Sequence, residues 1–362
     1  MDLVLNGHSH TYERSYLIDN HLGLSSTFDP LTMQLDGGNG NTAPYVKPGD
    51  LPGHKGTVYT VCGVSGKKGT GALNHPAMYM STGAHWGSLV IDVAGLTLRT
   101  MFLNDVGAEI DQFTIQKQIA INVKAVLEGP YDAATGLMRD DLRAAGLLPL
   151  SQPYSGVYPF TGEGGTETIS PSVLATTGNN VVVDWVLVEL RDATTPSTVW
   201  RTRVGLLQRD GDIVDVDGAS PLRFKMDPGN FHVAVRHRNH RGVMSAAPLA
   251  IGTSPVTLDL RSPATGTWGT DALTNLNGIM ALRTGEVVHD GVLKYTGSDN
   301  DRDPILLRIG GINPSNVMPG YFHEDTNMDG TTKYIGANND RDPQLINLGG
   351  TVPNAVRIEQ LP

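Results

Sequence analysis

The sequence predicts a mainly β protein, on three observations. It is rich in chain breakers, with 43 Gly and 22 Pro in 362 residues. Between them stand many short runs of Val, Ile, Leu and Thr, the pattern of strands bounded by turns. Runs suited to helices are few. At this length two or three domains are expected, each large enough to bury a core. A formal net charge of −10 argues against a nucleic-acid partner and is compatible with an acidic, calcium-binding surface. No run of about 18 apolar residues occurs, so no membrane-spanning helix is expected. Cys62 is the single cysteine, which rules out an intrachain disulfide. Within the apolar run Val58–Cys62 it is expected to be a buried, inert thiol.

The first element is Leu3-Val4-Leu5, read as the end of a buried strand. Asn6-Gly7 turns the chain, and His8 and His10 follow at i, i+2. In extended backbone that spacing puts both imidazoles on one face, within reach of two metal ions about 3.5–4 Å apart. His-x-His alone is a weak signal, since a surface loop explains it as well. The longer string Gly7-His8-Ser9-His10-Thr11-Tyr12-Glu13-Arg14 resembles the last metal-binding block of the purple acid phosphatase branch of the calcineurin-like metallophosphoesterases. Gly56–Lys67 is similar to that family's following strand and Gly-rich turn, and Trp86–Asp92, Leu96–Arg99 and Asp111–Ile115 to its closing strands.

The resemblance covers roughly residues 1–118 and implies a partial metallophosphoesterase α/β sandwich. It also implies that His8 and His10 serve one metal each of a dinuclear centre of iron with zinc, manganese or iron. Such a centre polarises a phosphate ester and supplies a hydroxide nucleophile. Tyr12, Glu13 and Arg14 belong to the same string; Glu13 and Arg14 are expected to anchor the loop rather than bind metal. The family's earlier Asp, Asn, Tyr and His ligands have no counterpart, and only seven residues precede His8. The chain is therefore expected to be the C-terminal part of a longer, secreted enzyme, with Met1 an internal residue or a late start, and to be inactive alone. His54, His75 and His85 lie near the breaker-rich loops that follow, and surface or structural roles are expected for each.

The second region, residues 119–260, opens on Ile119–Leu127, which alternates as a half-buried strand. Met138–Ala145 is a short helix candidate stopped by Gly146. Strands are expected at Val181–Leu190, Val199–Leu207, Leu222–Met226 and Phe231–Arg236, with turns at Asn179-Asn180, Arg209–Gly211 and Asp227–Gly229. That spacing suggests an immunoglobulin-like β-sandwich, an accessory or spacer domain. Arg236-His237-Arg238-Asn239-His240-Arg241 could grip phosphate or an acidic glycan. The simpler expectation is the end of an edge strand whose charges discourage further pairing.

After an expected linker at 261–282, residues 283–362 contain a repeat. Leu293–Leu306 recurs as Thr332–Leu345, an offset of 39 residues from Lys294 to Lys333, and each copy ends in Gly-Gly. The second copy is preceded by Asp325-x-Asn327-x-Asp329-Gly330, the opening of an EF-hand-type loop, whose oxygens at positions 1, 3 and 5 suit calcium. The twelfth position is Gly336, so Asp340 or Asp342 would have to close the shell. In the first copy, Glu286-x-Val288-x-Asp290-Gly291 lacks an oxygen at position 3, leaving Asp290, Asp301 and Asp303 as weaker candidates. The pair resembles the duplicated calcium-binding segments of dockerin modules, with an insertion in each loop. A pair of Asx-rich turns without metal is the alternative. Two functions remain open: a phosphoesterase remnant, or a binding protein that attaches a carried enzyme to a surface or protein scaffold.

Overall fold

A computed structural model of the chain describes residues 1–50 and 55–362, so the expectation for His54 lies outside the described residues. The protein is mainly β, with short strands throughout and helices of at most seven residues among those described. None of these helices is long and apolar enough to cross a membrane. The chain divides into two compact units, Met1–Ile119 with two short later segments, and most of the remainder from Ala120.

In the first unit, four strands form a sheet in the order Leu3–Asn6, Val58–Cys62, Tyr12–Ser15 and Met78–Thr82. The first two are parallel, with Leu3 opposite Val58 and Asn6 opposite Val61; the other pairs are antiparallel. A hairpin follows, Gly87–Ala94 against Thr97–Asn104, and its second strand pairs with the start of the long strand Glu109–Lys124. The turn between the hairpin strands needs Gly95 at φ +56, a left-handed conformation that glycine adopts at little cost. Tyr12 stacks on Phe102 with centroids 4.0 Å apart, and Leu17, Tyr45, Val58, Phe113 and Ile115 form a neighbouring cluster. Each such buried side chain stabilises the fold by roughly 1.5–3 kcal/mol.

In the second unit the strand Val182–Asp192 lies between Val199–Gln208 and Gly229–Arg236, both antiparallel to it. Val182 through Arg191 are all buried. Three expectations change here. Met138–Ala145 contributes only one helical turn, Asp141–Ala144, because Leu137–Met138 pairs with Tyr131–Asp132 instead. Residues 261–282 are not a plain linker: Leu273–Leu276 and Ile279–Leu282 form a hairpin. Its tip is Asn277-Gly278, both at positive φ, the two-residue turn whose twist matches that of the flanking strands. Lastly, Gly229–Arg236 is no edge strand, since it pairs with three neighbours, and His237–Arg241 beyond it are buried.

The repeats close on each other. Val292–Lys294 of the first copy pairs with Val356–Ile358 of the second, and Thr331–Lys333 of the second with Val317–Pro319 of the first. The offset of 39 carries one pairing onto the other residue by residue: Val292 opposite Ile358 becomes Thr331 opposite Pro319. Neither copy completes its own strand pair. The helices Arg302–Arg308 and Arg341–Asn347 obey the same offset.

Candidate functional site

The histidine loop leaves the carboxyl end of a parallel strand pair, the place where open sheets with parallel strands present their ligands. Its path is fixed by backbone contacts. Asn6 Oδ1 accepts from His8 N at 2.8 Å, Gly63 N donates to Thr11 O at 3.1 Å, and Gly69 N donates to His10 O at 2.6 Å. A Cβ on Gly63 would lie 1.9 Å from Ser9 O, so only glycine permits this approach. His8 is exposed and His10 half-buried.

The neighbouring residues of the string are anchors. Arg14 is fully buried and holds Asp111 through two bonds, Nε to Oδ2 at 2.7 Å and Nη2 to Oδ1 at 2.9 Å. Tyr12 donates its hydroxyl to the same carboxylate at 2.8 Å, and Glu13 Oε1 accepts from Thr11 Oγ1 at 2.7 Å. Burial pushes the Tyr45 phenol, 3.3 Å from Arg14 Nη1, up to about 12. Burial also raises the Cys62 thiol, which is half-buried.

His75 is not gathered into this loop. Its Nδ1 accepts from Ala77 N at 3.2 Å, and its ring stands 5.5 Å from that of His21. Both line a groove of about 440 Å³ with Val4, Tyr59 and Met78. His85 is half-buried near Trp86. Among the described residues, no three His, Cys, Asp or Glu side chains come together to hold a metal ion. Two imidazoles alone do not fit a dinuclear centre.

The twin loops are built to one plan. Asp340 Oδ1 accepts from Thr326 N and Asn327 N at 2.8 and 3.2 Å, and Oδ2 accepts from Lys333 N at 2.7 Å. Asp301 repeats this with Val287 N, Val288 N and Lys294 N at 2.8, 3.0 and 2.9 Å. Both aspartates therefore staple their loop from behind. Asp342 and Asp303 face outward at the helix starts, where Asn339 and Asn300 donate to them.

The opening of the second loop is a ladder of Asx turns. Asp325 accepts from Asp329 N at 3.1 Å and Gly330 N at 2.9 Å, Asn327 Oδ1 from Asp329 N at 2.8 Å, and Asp329 Oδ1 from Thr331 N at 2.9 Å. Burial raises the carboxyls of Asp325 and Asp301 to about 6, and those of Asp340 and Glu286 to about 8. Asp325 adds to the shift of Asp340, as Asp301 does to that of Glu286. A bound cation would relieve this crowding.

No protein-family model, curated protein or solved structure matches the chain. Its function therefore rests on its own geometry.

Sequence reading missed the network beneath the second loop. Asp184, wholly buried, accepts from Arg238 Nε at 2.9 Å, His237 Nε2 at 3.1 Å and Tyr321 OH at 2.6 Å. Arg238 also donates from Nη1 to Phe322 O, and Asn239 Nδ2 donates to Asp325 O at 2.5 Å. The segment expected at a charged edge instead holds the repeats to the strands. One signal was present: Asp184 interrupts the apolar stretch Val181–Val188, and a carboxylate there needs a buried cation.

Proposed function

We propose that this chain works by attachment. On this reading the second unit joins an immunoglobulin-like sandwich to dockerin-like loops, and the second loop takes one calcium ion through Asp325, Asn327 and Asp329. The observation that carries the proposal is the duplication of the loops at a fixed offset, with the bonds of Asp340 repeated by Asp301, and oxygens at positions 1, 3 and 5 of the second. With Asp340 and Asp342 engaged elsewhere, carbonyl oxygens and water complete the shell, so the affinity falls in the range of extracellular modules, about 10⁻⁴–10⁻³ M. That suits a secreted protein and a cell-surface or scaffold partner. Calorimetry with calcium on the chain and on Asp329→Ala tests it: heat is expected from the former and lost in the latter, and equal heats remove the site.

A second reading is supported by the position of His8 and His10 after a parallel strand pair, backed by Gly63. The first unit is then the C-terminal part of a metallophosphoesterase domain of the purple acid phosphatase type. In the intact parent a dinuclear centre would activate water against a phosphomonoester. Here His8 and His10 would each supply one imidazole, with Arg14, Tyr12 and Asp111 holding the loop. The chain alone is expected to give no phosphatase turnover with added iron, zinc or manganese. Turnover like that of a complete dinuclear enzyme would overturn this.

A further inference from the structure

In each loop the fifth and ninth positions are an aspartate and a lysine: Asp290 and Lys294 in the first, Asp329 and Lys333 in the second. Each lysine reaches back to the aspartate four residues before it. Lys333 Nζ donates to Asp329 Oδ2 at 3.0 Å, and Lys294 Nζ to Asp290 Oδ2 at 3.5 Å. The pair in the second loop is the shorter and the more sheltered, with the Asp329 side chain 15 % exposed against 31 % for Asp290. The backbone of Lys333 is also fixed. Its N donates to Asp340 Oδ2 at 2.7 Å, its O accepts from Asp340 N at 3.0 Å, and it stands opposite Val317 in the short strand pair. The ammonium is thus delivered to the loop by the same aspartate that staples the loop from behind. A lysine held in this way gives up less freedom on pairing than one on a mobile surface.

The ammonium stands where a calcium ion would need an oxygen. Loops of this kind offer side-chain oxygens at positions 1, 3 and 5 and reach the ion again from position 9, often through water. Asp329 is the residue at position 5, and both of its oxygens are engaged: Oδ1 accepts from Thr331 N at 2.9 Å and Oδ2 from Lys333. At position 9 the loop presents a cation. An ammonium is a compact charge with three donors and no acceptor, so it neutralises a carboxylate and ligates no metal. A divalent ion in this loop must take Asp329 Oδ2 from Lys333 or bind beside its charge.

We propose that Lys333 is a built-in competitor of calcium at the second loop: its ammonium holds Asp329 in the metal-free chain and is expelled when the ion binds. This rests on the calcium reading of that loop and concerns the strength of binding. Repulsion between an ammonium and a divalent ion about 5 Å apart in water weakens binding about tenfold. Calcium is titrated by calorimetry into the full chain, Lys333→Met, Lys333→Arg, Lys294→Met, and Lys333→Met combined with Asp329→Ala. Methionine keeps the apolar stem and arginine keeps the charge. Binding about tenfold tighter is expected in Lys333→Met, no gain in Lys333→Arg or Lys294→Met, and no binding in the double variant. Acylation of lysines in the parent chain, read by mass spectrometry, gives a measure that needs no substitution. Lys333 is expected to react several-fold faster in saturating calcium than in EDTA, and Lys294 at the same rate in both. Binding no tighter in Lys333→Met, an equal gain in Lys333→Arg, or a Lys333 that reacts no faster with calcium overturns the proposal and leaves the calcium reading standing. Heat from Lys333→Met with none from the parent chain sustains the proposal in its strongest form. No heat from either ends the calcium reading and the competition with it.

Discussion

The two units treat water differently. In the first, Leu22 and Leu31 are 90 % and 93 % exposed, and Val93 on the outer hairpin is 69 % exposed. In the second, a ten-residue stretch from Val182 to Arg191 is buried without a break, charged residues included. The chemically suggestive pair His8 and His10 therefore sits in the first unit, whereas the longest buried strand, with its charged residues Asp184, Glu189 and Arg191, sits in the second. Reactive-looking side chains at a surface need few supports, whereas buried charges persist only where partners are supplied. The contrast separates a motif from a built site.

The largest test of this contrast is Asp184→Ala. It leaves Arg238, His237 and the Tyr321 hydroxyl buried without their shared acceptor. A loss of about 3–5 kcal/mol is expected, read by denaturant unfolding of the second unit's near-UV signal. A loss below about 1 kcal/mol would mean that water replaces the carboxylate. Arg14→Met makes the corresponding cut in the first unit, taking the bidentate partner from Asp111. Asp111 keeps the Tyr12 hydroxyl and is itself a little more exposed, so a smaller loss, about 3 kcal/mol, is expected.

Much of this was legible beforehand, and the failures have a common cause. The strands Val199–Gln208 and Gly229–Arg236 stand within two residues of where alternation and turn signals put them. The repeat was visible because it is local and nearly identical. What stayed hidden was pairing at a distance. Arg14 meets Asp111 97 residues away, and the exchanged strands of the repeats are written in neither copy alone. Arg238 is expected at a charged strand end because charged residues are seldom buried; only the fold shows the Asp184 carboxylate that receives it. The Asn277-Gly278 pair is itself a hairpin signal, though it stands among other breakers in the segment expected as a linker.

Next in size is a pH effect confined to the second unit. In EDTA, Asp340 and Glu286 are raised to about 8 by burial, so between their ordinary range and pH 8 the native state binds more protons than the unfolded one. Stability from these groups is full at low pH and lost as pH rises through 8. Below about pH 6.5 four histidines act in the opposite sense. His237, His240 and His289 are lowered by burial and His323 is held at about 4, so the unfolded chain takes up those protons first. The midpoint temperature is expected to change little from pH 5 to 6.5 and to fall by several degrees from 6.5 to 8.5. A midpoint that rises over the upper interval would show that these carboxyls ionise freely in the fold.

The smallest expected effect is the most diagnostic for the first unit. His8 is exposed, and among the described residues no side-chain bond of either His8 or His10 holds the loop, which is fixed by Asn6 and by the backbones of Gly63 and Gly69. Replacing both histidines with alanine should shift stability by no more than about 0.5 kcal/mol, the usual range for surface positions. If the pair holds a zinc ion weakly, the double variant loses that binding while its unfolding curve stays in place. Replacing Gly63 with alanine should do the reverse, because its Cβ would collide with Ser9 O and displace the loop with both imidazoles intact. A structural histidine pair would instead show the double alanine variant unfolding early.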